Sequence, residues 1–290
     1  YDFSAFDGAP EKADSQHAFS LDLDLFGEPS LFQSLNRTVT SFGKERLAHW
    51  FLQPLDQKKA IEQRQAAIQE LARLTTFRQQ FYVVGRTHLQ EASHPFDQDR
   101  LQRLLAEPPY FQSHTIWRIL IGLVPALWLL AAGGYLMDWL PGSFFNLFIV
   151  GCMVVAYAPA KQVNRIYNEI NKLESLFKGY AELLRLTEQT PFTAAPLQEL
   201  QATLRHEQAS ASQAIRQLSR YIGGLDQRFS LAGIVLNVLI LRDIRHALWI
   251  ERWKNTYGTQ LDQWFDTLAQ VDAYNSLGGF AFNHQIGRAS

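Results

Sequence analysis

Basic and aromatic side chains are interleaved in one short stretch near the C-terminal end of the chain. The stretch contains Arg242, Arg245, Trp249, Arg252, Trp253 and Lys254. Guanidinium and ammonium groups bind phosphates and indole rings stack on bases, so the four basic residues are candidate nucleic-acid contacts. Asp243 and Glu251 dilute the positive charge, and the tryptophans have the spacing of a helix that faces a core. A packed helix is therefore the alternative interpretation.

Two carboxylates, Asp243 and Asp272, stand out against apolar surroundings in the C-terminal helices. A pair of carboxylates can act as general acid and general base. For Asp243 an ion pair with Arg242, with Arg245 or with a neighbouring helix is the simpler account. The sequence shows no nucleophile and base at catalytic spacing, so we predict no catalytic residue in this chain.

The motifs that hold nucleotides and metals are absent from the sequence. No G-x-x-x-x-G-K-[ST] occurs, because Gly43-Lys44 lacks both the earlier glycine and the following hydroxyl. The eight histidines form no H-E-x-x-H pair, so we predict neither a metal site nor a cofactor within this chain. The single cysteine, Cys152, lies in an apolar stretch and is interpreted as a packing residue rather than a nucleophile.

The overall composition is that of a folded protein. The chain has 290 residues, 27 basic against 28 acidic, and 47% are hydrophobic. These values exclude a disordered chain and argue against a strongly basic nucleic-acid arm. The chain begins at Tyr1 without a signal-like stretch, and we treat it as part of a longer protein.

Charges are missing from two long stretches in the middle of the chain. Residues 119–137 and 139–160 are uncharged and are separated by Asp138. Each is about as long as the ~30 Å hydrocarbon layer of a bilayer when helical. The sequence therefore predicts a transmembrane helical hairpin over 119–160, in which glycines would allow close approach of the helices. These are Gly122, Gly133, Gly134 and Gly151. A hairpin buried in an all-helical domain is the alternative.

Flanking charges give the hairpin an orientation. Arg118 precedes the first stretch, Lys161 and Arg165 follow the second, and acidic Asp138 occupies the turn. Because basic residues favour the cytoplasmic side, both soluble portions are expected in the cytoplasm with the anchor in the inner (plasma) membrane. If the hairpin is a core element instead, the protein is cytoplasmic.

Helical periodicity covers the rest of the chain. A helix capped by Thr40 or Ser41 is predicted to end before Pro54, and Asp56 is predicted to cap the next. Apolar residues three and four apart from Val163 to Leu184 predict a coiled-coil seam. A helix from Leu197 to Tyr221 is its expected antiparallel neighbour.

Two further features of the C-terminal half complete the fold prediction. Gly223-Gly224 is expected to end the antiparallel helix. Residues 229–241 are uncharged but too few to span a bilayer, which favours a buried helix. No stretch alternates with period two, so the fold class is all-α.

Residues 30–71 and 271–281 carry a pattern that resembles the MutS family of DNA mismatch repair proteins. The first run has an apolar helix, the turn Arg37-Thr38-Val39-Thr40, then Gly43, Arg46-Leu47, Pro54-Leu55 and Ile61-Glu62-Gln63-Arg64. This order is similar to the start of the family's core domain. The second run, Val271-Asp272-Ala273 to Phe280-Ala281, is similar to the helix end that leads into its ATPase domain.

The resemblance implies a helical bundle of core and lever type, with long antiparallel helices and the apolar hairpin. It also implies the non-catalytic part of a MutS-like ATPase, which couples a P-loop domain outside this chain to DNA or a partner. ATP and Mg²⁺ would bind that absent domain, through which the protein would form a homodimer. A membrane hairpin would place the chain in a divergent branch, because MutS itself is soluble.

In that framework the motif residues are expected to have structural roles. Thr38 and Thr40 would satisfy free amides at a helix start, and Gly43 would permit close packing. The same role is expected for Arg37 and Arg46.

The chain is expected to have four segments. Residues 1–29 form an irregular acidic lead-in on the surface, and 30–110 form the N-terminal part of the MutS-like core. Residues 111–160 contain the apolar hairpin, and 161–290 form lever-like helices and the C-terminal part of the core. The alternative function is a membrane-anchored helical scaffold that binds a protein partner and has no DNA role.

Overall fold

A computed structural model describes residues 6–13, 20, 22–90, 103–170, 173–205 and 209–284. Within these ranges the chain forms helices and turns and no β-strand, which confirms the predicted all-α class. The labelled α-helices are α1 Leu31–Leu35, α2 Ser41–Leu52, α3 Lys58–Arg73, α4 Thr75–Gly85, α5 Tyr110–Ser113, α6 Thr115–Leu136, α7 Gly142–Tyr157, α8 Ala160–Ile170, α9 Glu174–Gln189, α10 Ala195–Thr203, α11 Ala211–Asp226, α12 Leu231–Ile240, α13 Arg242–Tyr257 and α14 Leu261–Asn283.

Hydroxyl side chains cap two of the early helices. The Thr40 Oγ1 accepts a hydrogen bond from the Gly43 amide at 2.8 Å at the start of α2, as predicted. Ser30 accepts from the Gln33 amide at 3.1 Å at the start of α1. The prediction that Asp56 caps α3 is wrong, because the residue before this helix is Gln57, which makes no side-chain cap.

The helices belong to two compact units that alternate along the chain. The first unit comprises residues 1–95, 178–215 and 260–290, and the second comprises 96–177 and 216–259. In the first unit the long helix α14 packs against α2, α3 and α10. The largest side chain fully buried there is Trp264 of α14.

The segment before α1 contributes to the core of the first unit. Ala9, Leu25 and Phe26 are buried in a cluster with Phe32 and Leu47. The rings of Phe26 and Phe32 lie 5.3 Å apart between centroids. The expectation that residues 1–29 lie on the surface is therefore wrong for these three residues, whose apolar area outweighs the acidic composition around them.

The second unit contains the apolar hairpin. Helices α6 and α7 pack on each other, and the turn between them contains Asp138 in the left-handed conformation, with φ 55°. Helix α12 packs against both arms of the hairpin, and α13 packs against α5, α6, α8 and α12.

The predicted long seam is divided between two helices. Helix α8 ends at Ile170 and α9 begins at Glu174, while Leu173 is not helical and residues 171 and 172 lie outside the described ranges. The burial pattern of the seam is nevertheless correct, because its apolar residues are all buried. They are Val163, Ile166, Ile170, Leu173, Phe177, Tyr180 and Leu184.

Gly223-Gly224 does not end a helix, contrary to the prediction, since α11 continues to Asp226. A Cβ at Gly223 would lie 2.7 Å from the Glu174 carboxylate, and one at Gly224 would lie 2.1 Å from the His246 ring. The two glycines therefore allow neighbouring side chains to approach the helix backbone.

Candidate functional site

The two motif segments meet in the first unit at the side chain of Asp272. The carboxylate, which is fully buried on α14, accepts hydrogen bonds from the amide of Thr40 at 2.8 Å and from its hydroxyl at 2.7 Å. The Val39 amide donates to the same carboxylate at 3.1 Å. The turn that precedes α2 is thus bound by one buried acid from the far end of the chain. We call these contacts the motif junction.

Ser276, one helical turn after Asp272, completes the motif junction. Its hydroxyl accepts a hydrogen bond from the Arg37 amide at 2.8 Å and donates to the Leu35 carbonyl at 2.7 Å. Together Asp272 and Ser276 accept hydrogen bonds from three of the four backbone amides of the turn, those of Arg37, Val39 and Thr40. The Thr38 amide is bound instead by Asn36 Oδ1 at 3.2 Å.

Gly43 is required by this geometry. A Cβ built on Gly43 would lie 2.2 Å from Asp272 Oδ2, so the predicted close packing occurs against α14. Thr38 differs from the expectation, because its hydroxyl donates to Asn36 Oδ1 at 2.7 Å rather than satisfying a helix-start amide. Arg46 forms an ion pair with Asp266, which also lies on α14.

Burial sets the electrostatics of the motif junction. It raises the pKa of Asp272 to about 7, against the opposing effect of the hydrogen bonds from Thr40 and Val39. A carboxyl group with such a pKa exchanges its proton near neutral pH. The surrounding donors all belong to the protein backbone or to Thr40, so the group is suited to holding the turn rather than to proton transfer with a substrate.

A pocket of about 690 Å³ lies beside the motif junction. Its lining includes Arg37, Arg78, Tyr82, Asn275 and Phe280. Both guanidinium groups donate to backbone carbonyls, Arg37 to Asn36 at 2.7 Å and Arg78 to Leu71 at 2.6 Å. Asn275 Oδ1 is buried and has no hydrogen-bond partner among the described residues. Both arginines therefore stabilise the backbone near them through these hydrogen bonds.

The four basic residues predicted to contact nucleic acid lie on α13 in the second unit. Arg245 donates to the Ile121 carbonyl at 3.1 Å, and Lys254 donates to the Leu104 carbonyl at 3.2 Å. Arg242 donates to Gln227 Oε1 at 2.9 Å. Arg252 is exposed. Internal contacts thus occupy the charged ends of three of the four side chains.

The tryptophans of α13 contribute to packing. Trp253 is buried, with 4% of its surface exposed, and Trp249 lies 5.3 Å from the Tyr221 ring. Burial, with a smaller contribution from the nearby Arg242 and Arg245, lowers the pKa of His246 to about 4. A neutral histidine between two arginines adds no charge for a phosphate.

Asp243 forms an ion pair, as the sequence favours, but with a partner that the sequence did not identify. Its carboxylate lies 3.3 Å from Arg228 Nε, and both side chains are buried. Burial raises the pKa of Asp243, while Arg228 and Arg242 oppose that shift. The pair joins the residues just before α12 to the first turn of α13.

Glu251 has a structural role that the sequence interpretation missed. Its buried carboxylate accepts hydrogen bonds from the amides of Tyr110, Phe111 and Gln112 at 2.8, 3.0 and 2.7 Å. Burial raises the pKa of Glu251, and these amides oppose the rise. The acid fixes the chain where it enters the hairpin. No local sequence signal reveals this role, because the partner amides are about 140 positions away.

The apolar hairpin turns large apolar side chains outward. The exposed fraction is 78% for Leu129, 81% for Leu136 and 68% for Leu147. Helix α6 is long and apolar enough to cross a membrane, and α7 with α8, bent by 47° at their break, passes as a second span if taken together. Cys152 is buried, in agreement with a packing role.

The hairpin glycines do not have the predicted role. Cβ atoms built on Gly122, Gly133 and Gly151 would meet no described atom within 4 Å, and one on Gly134 would meet Leu140, in the adjacent turn. The helices of the hairpin instead meet through aromatic rings, with Trp128 and Phe148 5.2 Å apart. Among the described residues, no group of three or more metal-binding side chains occurs.

Comparisons with known proteins show the family to which the chain is similar. A family model described as MutS domain III matches residues 16–232, about three quarters of the chain, and runs through the apolar hairpin. Over 50 residues, 17% of the chain, the sequence is 52% identical to the DNA mismatch repair protein MutS of Synechococcus elongatus and to that of a Synechococcus sp. strain. The matched stretch covers 6% of each relative. No solved structure matches at comparable significance.

Proposed function

Because the chain belongs to the MutS domain III family, we propose that it is the non-catalytic core and lever part of a MutS-like, mismatch repair-type ATPase. It couples a P-loop ATPase domain outside this chain to DNA or to a partner protein. In this proposal ATP and Mg²⁺ bind the ATPase domain, and the homodimer forms through it.

The motif junction is the observation that supports the coupling. Asp272 and Ser276 on α14 bind the turn between α1 and α2, so a displacement of α14 also moves that turn. Buried hydrogen bonds hold the two segments at fixed distance, which a flexible connection does not do. Helix α14 is the segment that, by resemblance, leads toward the ATPase domain.

Two measurements test this proposal. Translation of the gene beyond the codon for Ser290 is expected to give a G-x-x-x-x-G-K-[ST] motif, and its absence would contradict the proposal. In the protein that includes the ATPase domain, Asp272→Asn is expected to reduce the stimulation of ATP hydrolysis by DNA or partner while leaving basal hydrolysis unchanged. Equal stimulation in the variant and the wild type would show that the motif junction does not couple the ATPase domain to DNA or a partner.

The hairpin over 119–160 is, in the same proposal, a membrane anchor. Helix α6 has 22 residues and is therefore about 33 Å long, enough for the ~30 Å hydrocarbon layer. Its outward face is apolar, and the basic residues Arg118, Lys161 and Arg165 favour an orientation with both flanking portions in the cytoplasm.

Cysteine labelling tests the anchor and its orientation. In a Cys152→Ala background, Asp138→Cys is expected to react with a membrane-impermeant maleimide added to intact cells. The control, Glu45→Cys, is partly exposed in the first unit and is expected to react only after the cells are opened. Reaction of neither variant before lysis, together with release of the protein by carbonate, would reject the anchor and favour a cytoplasmic protein.

The alternative function, a membrane-anchored scaffold that binds a protein and not DNA, is favoured by one observation. Arg245 and Lys254 donate to backbone carbonyls, which reduces the charge available to phosphates. A salt-dependent titration with duplex DNA distinguishes the two functions. If α13 contacts DNA, Arg252→Gln lowers the salt slope by about 1, whereas Arg220→Gln on α11 does not. Absence of binding at low salt would favour the scaffold.

A further inference from the structure

Helix α12 differs from the buried helix that the sequence predicts. Leu231, at its first position, has 85% of its surface exposed, and Val235, one turn later, has 57%. Phe229, just before the helix, is 69% exposed. Residues 229–241 contain no charge, so an uncharged apolar face lies outside the core of the second unit.

The helix that carries this exposed face packs directly on the hairpin. Helix α12 packs against α6 and α7, and the Trp128 Nε1 of α6 donates to the Val238 carbonyl at 3.1 Å. Trp128 lies near the middle of α6, between Thr115 and Leu136. If α6 spans a membrane, α12 lies beside it within the apolar layer rather than in water.

Length and end contacts show how the segment enters and leaves that layer. Ten helical residues extend about 15 Å, half of the hydrocarbon thickness, so α12 does not cross. Its two ends are tied together, because Arg228 before the helix pairs with Asp243 after it at 3.3 Å. Arg242 also donates to Gln227 at 2.9 Å. The charged residues that precede α12 therefore lie next to those that follow it.

We propose that α12 is a re-entrant helix, inserted into the lipid from the cytoplasmic side next to the hairpin, with lipid acyl chains covering Leu231 and Val235. This inference rests on the proposed membrane anchor. Two backbone amides at the ends of the segment have internal partners. Ser230 Oγ accepts from the Gly233 amide at 3.0 Å at the helix start, and Asn237 Oδ1, which is buried, accepts from the Asp243 amide at 3.1 Å beyond its end. Polar groups in lipid need such internal partners.

Continuity with the hairpin favours lipid over a protein as the occupant. Exposed apolar residues lie on both α12 and α6, and the two helices pack on each other, so a bilayer can cover both without any further specific contact. Arg242, which is partly exposed just after the helix, is placed to meet the headgroup region, where basic side chains are favourable on the cytoplasmic side.

The test is lipid quenching in proteoliposomes made from purified full chain. Single cysteines replace Leu231 or Val235 in the Cys152→Ala background and carry an environment-sensitive fluorophore. Lipids with a spin label on the acyl chain are expected to quench both sites, with a loss of fluorescence comparable with that at Leu129→Cys on α6. Ile61→Cys on α3, which is also exposed and apolar, is the matched control and is expected to stay unquenched.

The outcomes separate the inference from the anchor on which it rests. Quenching at Leu129→Cys with none at Leu231→Cys or Val235→Cys overturns the re-entrant helix and leaves the anchor standing. Absence of quenching at all three sites overturns both. Disulfide formation between two copies at Leu231→Cys, without lipid quenching, assigns the face to a second copy of the chain and also overturns the proposal.

Discussion

The first unit buries the carboxylate of Asp272 among backbone amides, whereas the second unit exposes 78% of Leu129 and 85% of Leu231. Both units are helical, and both use one buried acid, Asp272 or Glu251, to hold a distant turn. They differ in the surroundings of their helices. In the first unit exposed apolar side chains are scattered, with Val83 60% and Ile61 37% exposed, whereas in the second unit they line α6, α7 and the start of α12. Helix content alone therefore does not distinguish the proposed lever, in the first unit, from the proposed membrane anchor, in the second. The exposure of apolar side chains does distinguish them.

The largest expected effect is the removal of the acid at the motif junction. Asp272→Ala leaves two backbone amides and the Thr40 hydroxyl without their acceptor, at a cost of roughly 1–3 kcal/mol for each buried donor. We expect the free energy of unfolding of the first unit to fall by about 3–9 kcal/mol. Hydrogen exchange of the α2 amides in detergent measures the change.

A surface ion pair on the same helix provides the control for this variant. Asp266→Ala removes the partner of Arg46, whose side chain is 32% exposed, and is expected to cost about 1 kcal/mol or less. Equal effects of Asp272→Ala and Asp266→Ala would show that the buried acid is no more important than a surface one, and the contrast between the units would weaken.

A somewhat smaller effect is expected for the buried ion pair of the second unit. Arg228→Met leaves the Asp243 carboxylate buried without its cation, which costs about 3 kcal/mol. The double variant Arg228→Met with Asp243→Leu removes both charges and is expected to recover most of the loss. Hydrogen exchange of α12 and α13 measures both.

The rescue distinguishes an ion pair that ties the ends of α12 from one with no such role. If the double variant is as unstable as Arg228→Met alone, the arginine acts through its packing against the Tyr167 and Phe229 rings, which lie 5.8 and 5.2 Å away. The ion pair between Arg228 and Asp243 would then contribute nothing measurable to the stability of α12.

Titration of Asp272 gives a pH dependence that belongs to the first unit. Its pKa is raised from an ordinary 3.8 to about 7, so the folded state holds the proton more tightly than the unfolded state. The contribution of this proton to the stability of the folded state is complete below pH 3.8 and is lost as the pH rises toward 7. The slope is at most about 1.4 kcal/mol per pH unit for one proton.

Asp272→Asn isolates this contribution, because the amide has nearly the same shape and does not titrate. The stability advantage of the wild type over Asp272→Asn is expected to shrink between pH 5 and pH 7. A constant difference over that range would mean that the carboxylate stays ionised throughout, held by the donors from Thr40 and Val39.

Local patterns in the sequence predict much of this fold. The spacing of apolar residues identifies the buried face from Val163 to Leu184, and Thr40 and Gly43 indicate the start of α2 correctly. Asp272 stands out as an acid in apolar surroundings. Its partners do not, because they are backbone amides more than 230 positions away. Residues 229–241 show the same limit, since an uncharged helix in a core and one facing outward have the same composition.

The smallest expected effect concerns the polar contact between α6 and α12. Trp128→Phe keeps a ring next to Phe148 but removes the Nε1 donor to the Val238 carbonyl. Hydrogen bonds between membrane helices contribute about 0.6 kcal/mol on average, so we expect a loss of that size in the exchange protection of α12 in proteoliposomes. Trp139→Phe, at the 79% exposed turn position, is the matched control and should change nothing. A loss above about 2 kcal/mol would mean that this single hydrogen bond, rather than apolar packing, holds α12 against α6, and the expected effect would be wrong.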